Sequence, residues 1–318
     1  MIRYFYFYIA IFLLIGNTIF AKDIPWQNPE INGINREPMR AHFIPYKNEK
    51  SAISQQNMPA SQRFKINSTS ERRISLNGTW KFKWHKNNDE FTNDFHKENF
   101  NPKKWNNIQV PGSWELQGFD SPIYTDVDYP FPANPPYVPA DYNPVGAYIR
   151  EFTVPSDWNG LDIYIDFEGV ESAYYFWING EFAGYGEDSR LPSHYNITKL
   201  LKKGKNKIAV KVFRYSDGSY LEDQDYWKYS GIERDVYLYA RPSFRAVDFG
   251  LTAKMVNYFT DGNFNLEVKF NNPTPSTLAE IKIFDEKNEI FSIKKEFSNN
   301  IDTILSVSHF INNAKPWT

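Results

Sequence analysis

Cysteine is absent from all 318 residues. Disulfides, thiol nucleophiles and cysteine-ligated metals are therefore excluded, and packed cores must hold the chain together. An excess of one charge is missing too: 36 Lys and Arg face 38 Asp and Glu, for a net charge of −2. No basic stripe breaks that balance, which argues against nucleic acid as a partner. Histidine is scarce, and His42, His85, His96, His194 and His309 show no metal-binding spacing. Phosphate loops, dinucleotide fingerprints and G-x-S-x-G elbows do not occur. Nor does a repeat of solenoid or propeller period. Long apolar runs are missing except at the start, where residues 4–15 follow Arg3 and precede the small residue Ala21. That run is short of the ~20 residues a spanning helix needs. It reads as a secretory signal over 1–21, so the mature chain is expected to be secreted, periplasmic in a bacterium, and free of membrane.

What is abundant is aromatic: 26 Phe, 21 Tyr and 9 Trp make up 18% of the chain. Aromatic side chains favour pleated, half-buried surfaces, so the composition leans toward β structure. They also pack on sugar rings, so composition alone does not separate core from site.

Residues 22–73 are polar, without periodicity, and read as an extended arm. Ordered β structure is expected from about Ser75, where the Asn77-Gly78 turn signal leads into alternating Trp80, Phe82 and Trp84. The stretch 101–146 carries eight prolines between Pro111 and Pro144, which exclude a regular sheet interior. Trp114, Phe119, Tyr124, Tyr129, Phe131, Tyr137 and Tyr142 lie among them, as in a rigid functional loop. Leu161, Ile163, Ile165 and Phe167 then share one face. Asn179-Gly180 between two apolar runs predicts a two-residue hairpin, with Trp177 taken as a core strand residue. Residues 196–201 suggest a short helical turn stopped by Gly204. Ile208, Val210 and Val212 resume the alternation, as do Val236 and Leu238. The fold expected is all-β: a jelly-roll β-sandwich over 74–242, then an immunoglobulin-like β-sandwich over 243–318. Its first strands hold Phe264 to Phe270 and Ile281 to Phe284, with a turn at 271–275. Such a sandwich takes ~100 residues, so this one is expected to be incomplete.

A retaining glycosidase needs two carboxyl groups about 5 Å apart. No pair here has a context that assigns it. The densest polar cluster runs from Ser216 through Glu222, Asp223, Gln224 and Asp225 to Trp227. Carboxylates that accept hydroxyl protons beside aromatic faces suit sugar binding, and the oxygens also suit a hard cation. A solvated acidic loop fits the residues equally well. Asp126 reads most simply as a surface carboxylate in a turn. Asp188 and Arg190 read as an internal ion pair or loop clamp.

The segments SLNGTWKFKW, VPGSWELQGFDSPIYTDVDYP, NPPYVP, NPVGAYIREF, DFEGVESAYYFWINGEFAGYGEDSRLPS and RYSDGSYLEDQDYWKYSGIERDVYLYARP cover most of 75–242. In this order they resemble the N-terminal region of bacterial β-galactosidases of glycoside hydrolase family 2. NREPMRAH at 35–42 is similar to the family's arm. The resemblance implies a sugar-binding jelly roll, an immunoglobulin-like domain and a later (β/α)₈ barrel that carries both catalytic glutamates. It implies hydrolysis of terminal β-D-galactose by the retaining mechanism, with no catalytic residue in this stretch and no activity from it alone. Asp126 stands where the family has a galactose-contacting Asn, and keeps an acceptor while losing the amide donors. Asp225 matches a family Asp that binds galactose hydroxyls and one sodium ion. Asp225 would be a partial sodium site, the other ligands lying in the barrel, where magnesium or calcium is also expected. Partners implied are the β-galactoside, a barrel-bearing chain or further copies of the chain. A free-standing carbohydrate-binding or subunit-docking module is the alternative. A β-glucuronidase or β-mannosidase is a rival, though NPPYVP and EDQD resemble the galactosidase branch.

Overall fold

The computed structural model describes residues 24–56, 70–89, 94–271, 278–285, 288–297 and 303–316. The signal segment, and the 271–275 turn beyond Asn271, lie outside them. The described chain is nearly all β. Its larger unit is a sandwich of two antiparallel sheets. One has seven strands, in the order Gly33–Ile34, Glu181–Gly186, Ala173–Ile178, Lys205–Phe213, Val145–Thr153, Gly78–His85 and Asn106–Val110. The other has four, in the order Ser193–Asn196, Asp162–Phe167, Val236–Arg241 and Arg73–Ser75. Asn77-Gly78 is the corner where the chain passes from the smaller sheet to the larger. Asn77 holds it there, accepting from the Val236 N–H at 2.9 Å and donating to Asp235 at 2.8 Å.

The alternation read from the sequence fills the space between the sheets. Trp80, Phe82, Tyr174, Phe176, Ile178, Ile208, Val210 and Val212 meet Ile163, Ile165, Phe167, Val236 and Leu238 in one core. The Asn179-Gly180 hairpin forms with both residues at positive φ, 52° and 89°. A glycine supplies the second of these without steric cost. The helical turn appears as a 3-10 turn, Thr198–Leu200.

Trp177 differs from the expectation. Strand period puts 174, 176 and 178 inside and turns 175 and 177 to the outer face. Trp177 is half-buried there, its ring stacked on His96 at 4.9 Å and edge-on to Phe95 at 5.5 Å. The outer face is itself covered, so an apolar residue on it mimics a core residue in the sequence. Its cover comes partly from the arm: Trp26 stacks on Phe213 at 4.9 Å, and Gly33–Ile34 pairs with the strand Glu181–Gly186.

The arm also forms an unanticipated helix, Glu49–Gln56. Asn48 is its start signal, accepting from the Ser51 N–H at 2.9 Å. The helix has no apolar stripe, which is why periodicity missed it. Between helix and strand the arm crosses the smaller sheet. Arg40 donates to the Tyr239 hydroxyl at 3.0 Å, and the Ala41 N–H donates to Asp248 at 2.9 Å.

Beyond Arg241 a smaller unit follows. Arg245–Val256, Asp261–Asn271 and Ile304–Ile311 form one sheet, and Leu278–Asp285 with Asn288–Glu296 form another. Ala279, Phe297, Leu305 and Val307 form its small buried cluster among the described residues, and Val268 is buried too.

Candidate functional site

At one end of the larger unit a short ribbon stands out from the sandwich. Ile123–Thr125 pairs antiparallel with Tyr226–Lys228, so that Trp227 faces Tyr124 and Tyr226 faces Thr125. Asp225 and Asp126 directly flank the last pair, Tyr226 and Thr125, and both are exposed. The Tyr124 hydroxyl donates to Asp225 Oδ1 at 2.5 Å. That bond and the carboxylate's charge raise the Tyr124 pKa. The Tyr124 ring is tilted against Trp227 at 5.6 Å, and the two are 52% and 50% exposed.

The rest of the acidic segment points elsewhere. Glu222 turns inward and accepts from the Ser189 N–H at 2.8 Å and the Ser189 hydroxyl at 2.6 Å. Asp223 pairs with Lys228 at 2.5 Å. Tyr226 donates to the Glu222 carbonyl at 3.0 Å and lies under the Arg190 guanidinium at 5.3 Å. Capping of the 3-10 turn Asp217–Tyr220 by Ser216 and Ser219 fixes where the segment begins. A solvated acidic loop thus does not describe 216–227: most of it is a folded knot, and Asp225 is the carboxylate it projects.

The supporting layer is densely charged and buried. Arg190 does not pair with Asp188. It bridges Glu171 at 2.6 Å and Glu233 at 2.8 Å, while Asp188 takes Arg36 of the arm at 3.3 Å. Arg214 holds Asp120 at 2.6 Å, and Asp120 accepts from Tyr142 at 2.6 Å. Burial pushes Glu171 up to about 8, with Glu233 adding to the shift. Burial likewise takes Glu115 to about 7 and Glu187 to about 9. Between this layer and the ribbon lies a cavity of about 30 Å³, touched by Glu171, Tyr215, Asp223 and Ser230. That is room for a water or two, not a sugar.

The proline-rich stretch is rigid for a visible reason. Tyr220 donates to the Tyr137 carbonyl at 2.7 Å, accepts from the Asn134 N–H at 3.0 Å and packs edge-on to Tyr129 at 4.9 Å. Most of its aromatics are structural, and Tyr124 is the one that reaches the exposed carboxylate. The sequence held both Tyr124 and Asp225, but no local signal linked residues 101 positions apart.

Among the described residues no three His, Asp or Glu form a group that could hold a metal. Asp225 offers one carboxylate, already engaged at one oxygen, whereas a hard cation takes about six oxygens. Among the described residues, Asp225 does not by itself make a sodium site.

Residues 74–242 match the model of the glycosyl hydrolases family 2, sugar binding domain. The chain belongs to this family. The β-galactosidase of Priestia megaterium is 42% identical over 266 residues, 81% of this chain and 25% of that protein. The β-galactosidase of Clostridium acetobutylicum is 34% identical over 293 residues, 90% of this chain and 31% of that protein. The chain thus spans about a quarter to a third of the curated relatives' length. A solved structure of Bifidobacterium dentium β-glucuronidase with coumarin-3-O-glucuronide superposes with a TM-score of 0.59 at 17% identity, covering 79% of this chain and 43% of that one. A β-glycosidase from Bacteroides vulgatus gives 0.58 at 23%, covering 77% and 30%. At those identities the likeness shows the fold alone.

Proposed function

We propose that this chain is the sugar-binding part of a secreted, periplasmic β-galactosidase that cleaves terminal β-D-galactose from β-galactosides. The observation that carries the reading is the ribbon, where an outward carboxylate stands beside two half-exposed aromatic rings. Carboxylate oxygens accept sugar hydroxyl protons, and aromatic faces pack on the C–H side of a ring. The substrate follows the relatives: those at 34–42% identity are β-galactosidases, whereas the β-glucuronidase likeness is at 17%. In this reading Asp126 and Asp225 contact galactose hydroxyls from one wall of the pocket. Asp225 is also one ligand of a sodium ion completed from outside this stretch. The two catalytic glutamates of the retaining mechanism, with any magnesium or calcium, belong to the barrel of the whole enzyme. The jelly roll at 74–242 and an immunoglobulin-like unit at 243–318 would then be its first two domains after an arm.

A second reading has its own support. Val127 and Leu221, close to the ribbon in sequence, are 84% and 87% exposed, apolar side chains of the kind a docking surface would use. A subunit-docking or carbohydrate-binding module would use them without catalysis.

Hydrolysis of a chromogenic β-galactoside by the purified chain, with and without a separately made barrel fragment, tests the proposal. Activity only in the mixture is expected. Activity from the chain alone would overturn the assignment of catalysis to the barrel. Co-purification of the two without turnover would favour docking.

A further inference from the structure

We infer that Tyr124 is a positioning residue that orients Asp225 toward a hydroxyl-bearing ligand; this rests on the sugar-binding reading above. Asp223 is held by the Lys228 ammonium, and Glu171 and Glu233 by the Arg190 guanidinium. A cationic partner cancels a carboxylate's charge and takes up its lone pairs. Asp225 is held instead by a phenol, whose single O–H occupies one of about four acceptor positions and leaves the charge in place. The carboxylate is thereby fixed without being neutralised.

The geometry of the ribbon lets Tyr124 do this. It reaches Asp225 diagonally across the two strands, because its direct partner is Trp227. Trp227 packs against its ring at 5.6 Å, and Tyr229 stacks behind Trp227 at 6.5 Å, so the phenol is braced from one side. The Lys228–Asp223 pair and the Arg190–Tyr226 contact fix the other strand. With Oδ1 committed to Tyr124, Oδ2 is the oxygen left for a sugar hydroxyl.

The test is made on the full chain with ¹³C-labelled tyrosine, the Tyr124 resonance being the one lost in Tyr124→Phe. In Asp225→Asn that resonance should shift at neutral pH, because the phenol loses its charged acceptor, while the other tyrosines stay in place. A Tyr124 resonance that Asp225→Asn leaves unmoved overturns the inference, whatever the chain's function. In the chain mixed with a barrel fragment, Tyr124→Phe should raise KM for a galactoside roughly tenfold and change kcat little, since the group acts on binding. A shifted Tyr124 resonance with unchanged KM in both variants would leave the phenol–carboxylate bond standing and sink the sugar-binding reading instead.

Discussion

Ile208, Val210 and Val212 of the larger unit and Phe264, Leu266 and Phe270 of the smaller one alternate equally well in the sequence. The first three are fully enclosed, because the second sheet covers them and the arm and loops cover the strand's other face. The latter three are only partly buried, and among the described residues of their unit only Gly262, Val268, Ala279, Phe297, Leu305 and Val307 are buried. The charged layers differ in the same way. The larger unit buries Glu115, Glu171 and Glu187, whereas the smaller one pairs Lys282 with Glu49 of the arm and Lys315 with Asp285 at the surface. Depth of cover, not strand pattern, separates the unit that carries the candidate site from the one that does not.

The sharpest way to break that comparison is a matched pair of truncations. Phe176→Ala removes a ring that is fully buried in the larger core and should cost about 3–5 kcal/mol. Phe297→Ala removes an equally buried ring from the smaller core, and should loosen that unit while the main thermal transition stays in place. Near-ultraviolet circular dichroism through the melt reads both. One shared transition, lowered equally by either change, would show the units to be a single cooperative body.

Acidity gives the next largest effect. Glu187 keeps its proton up to about 9 in the folded chain and releases it near 4.5 once unfolded. Between those values the folded state binds more protons, so stability falls as pH rises, by up to about 1.4 kcal/mol per pH unit for such a group. Denaturant midpoints measured from pH 5 to pH 8 should therefore decline. Glu187→Gln, neutral throughout, should flatten the decline, and an unchanged slope would place the titrating group elsewhere.

The smallest effect on stability is expected at the ribbon. Asp225→Asn should leave the melt where it is, because the side chain is exposed. In the mixture with a barrel fragment it should lower kcat/KM for a galactoside roughly ten- to a hundredfold, mostly through KM, as loss of a charged hydrogen-bond acceptor does. Normal kinetics would remove Asp225 from the site.

Much of this was legible beforehand. Period-two alternation marked the strands at 161–167 and 208–212, and Asn179-Gly180 marked its hairpin, since local backbone preference and burial ask for the same residues there. The helix at Glu49–Gln56 escaped because it lacks an apolar face, and Trp177 misled because both faces of its sheet are covered. Asp188 and Arg190, adjacent enough to suggest a pair, have separate partners in the arm and in Glu171 and Glu233. Ion pairing follows spatial neighbours, which sequence spacing in a sheet protein does not reveal.

The sequence by itself determined that this protein is built of strands, that no disulfide or thiol chemistry is open to it, and that acidic and aromatic residues concentrate at 216–227. Which of those carboxylates serves the surface was decided by tertiary structure. Pairing Ile123–Thr125 with Tyr226–Lys228 brought Asp225 to Tyr124, while the knot beneath drew Glu222 and Asp223 inward. The physical reason is register: in an antiparallel ribbon a one-residue shift sends every side chain to the opposite face.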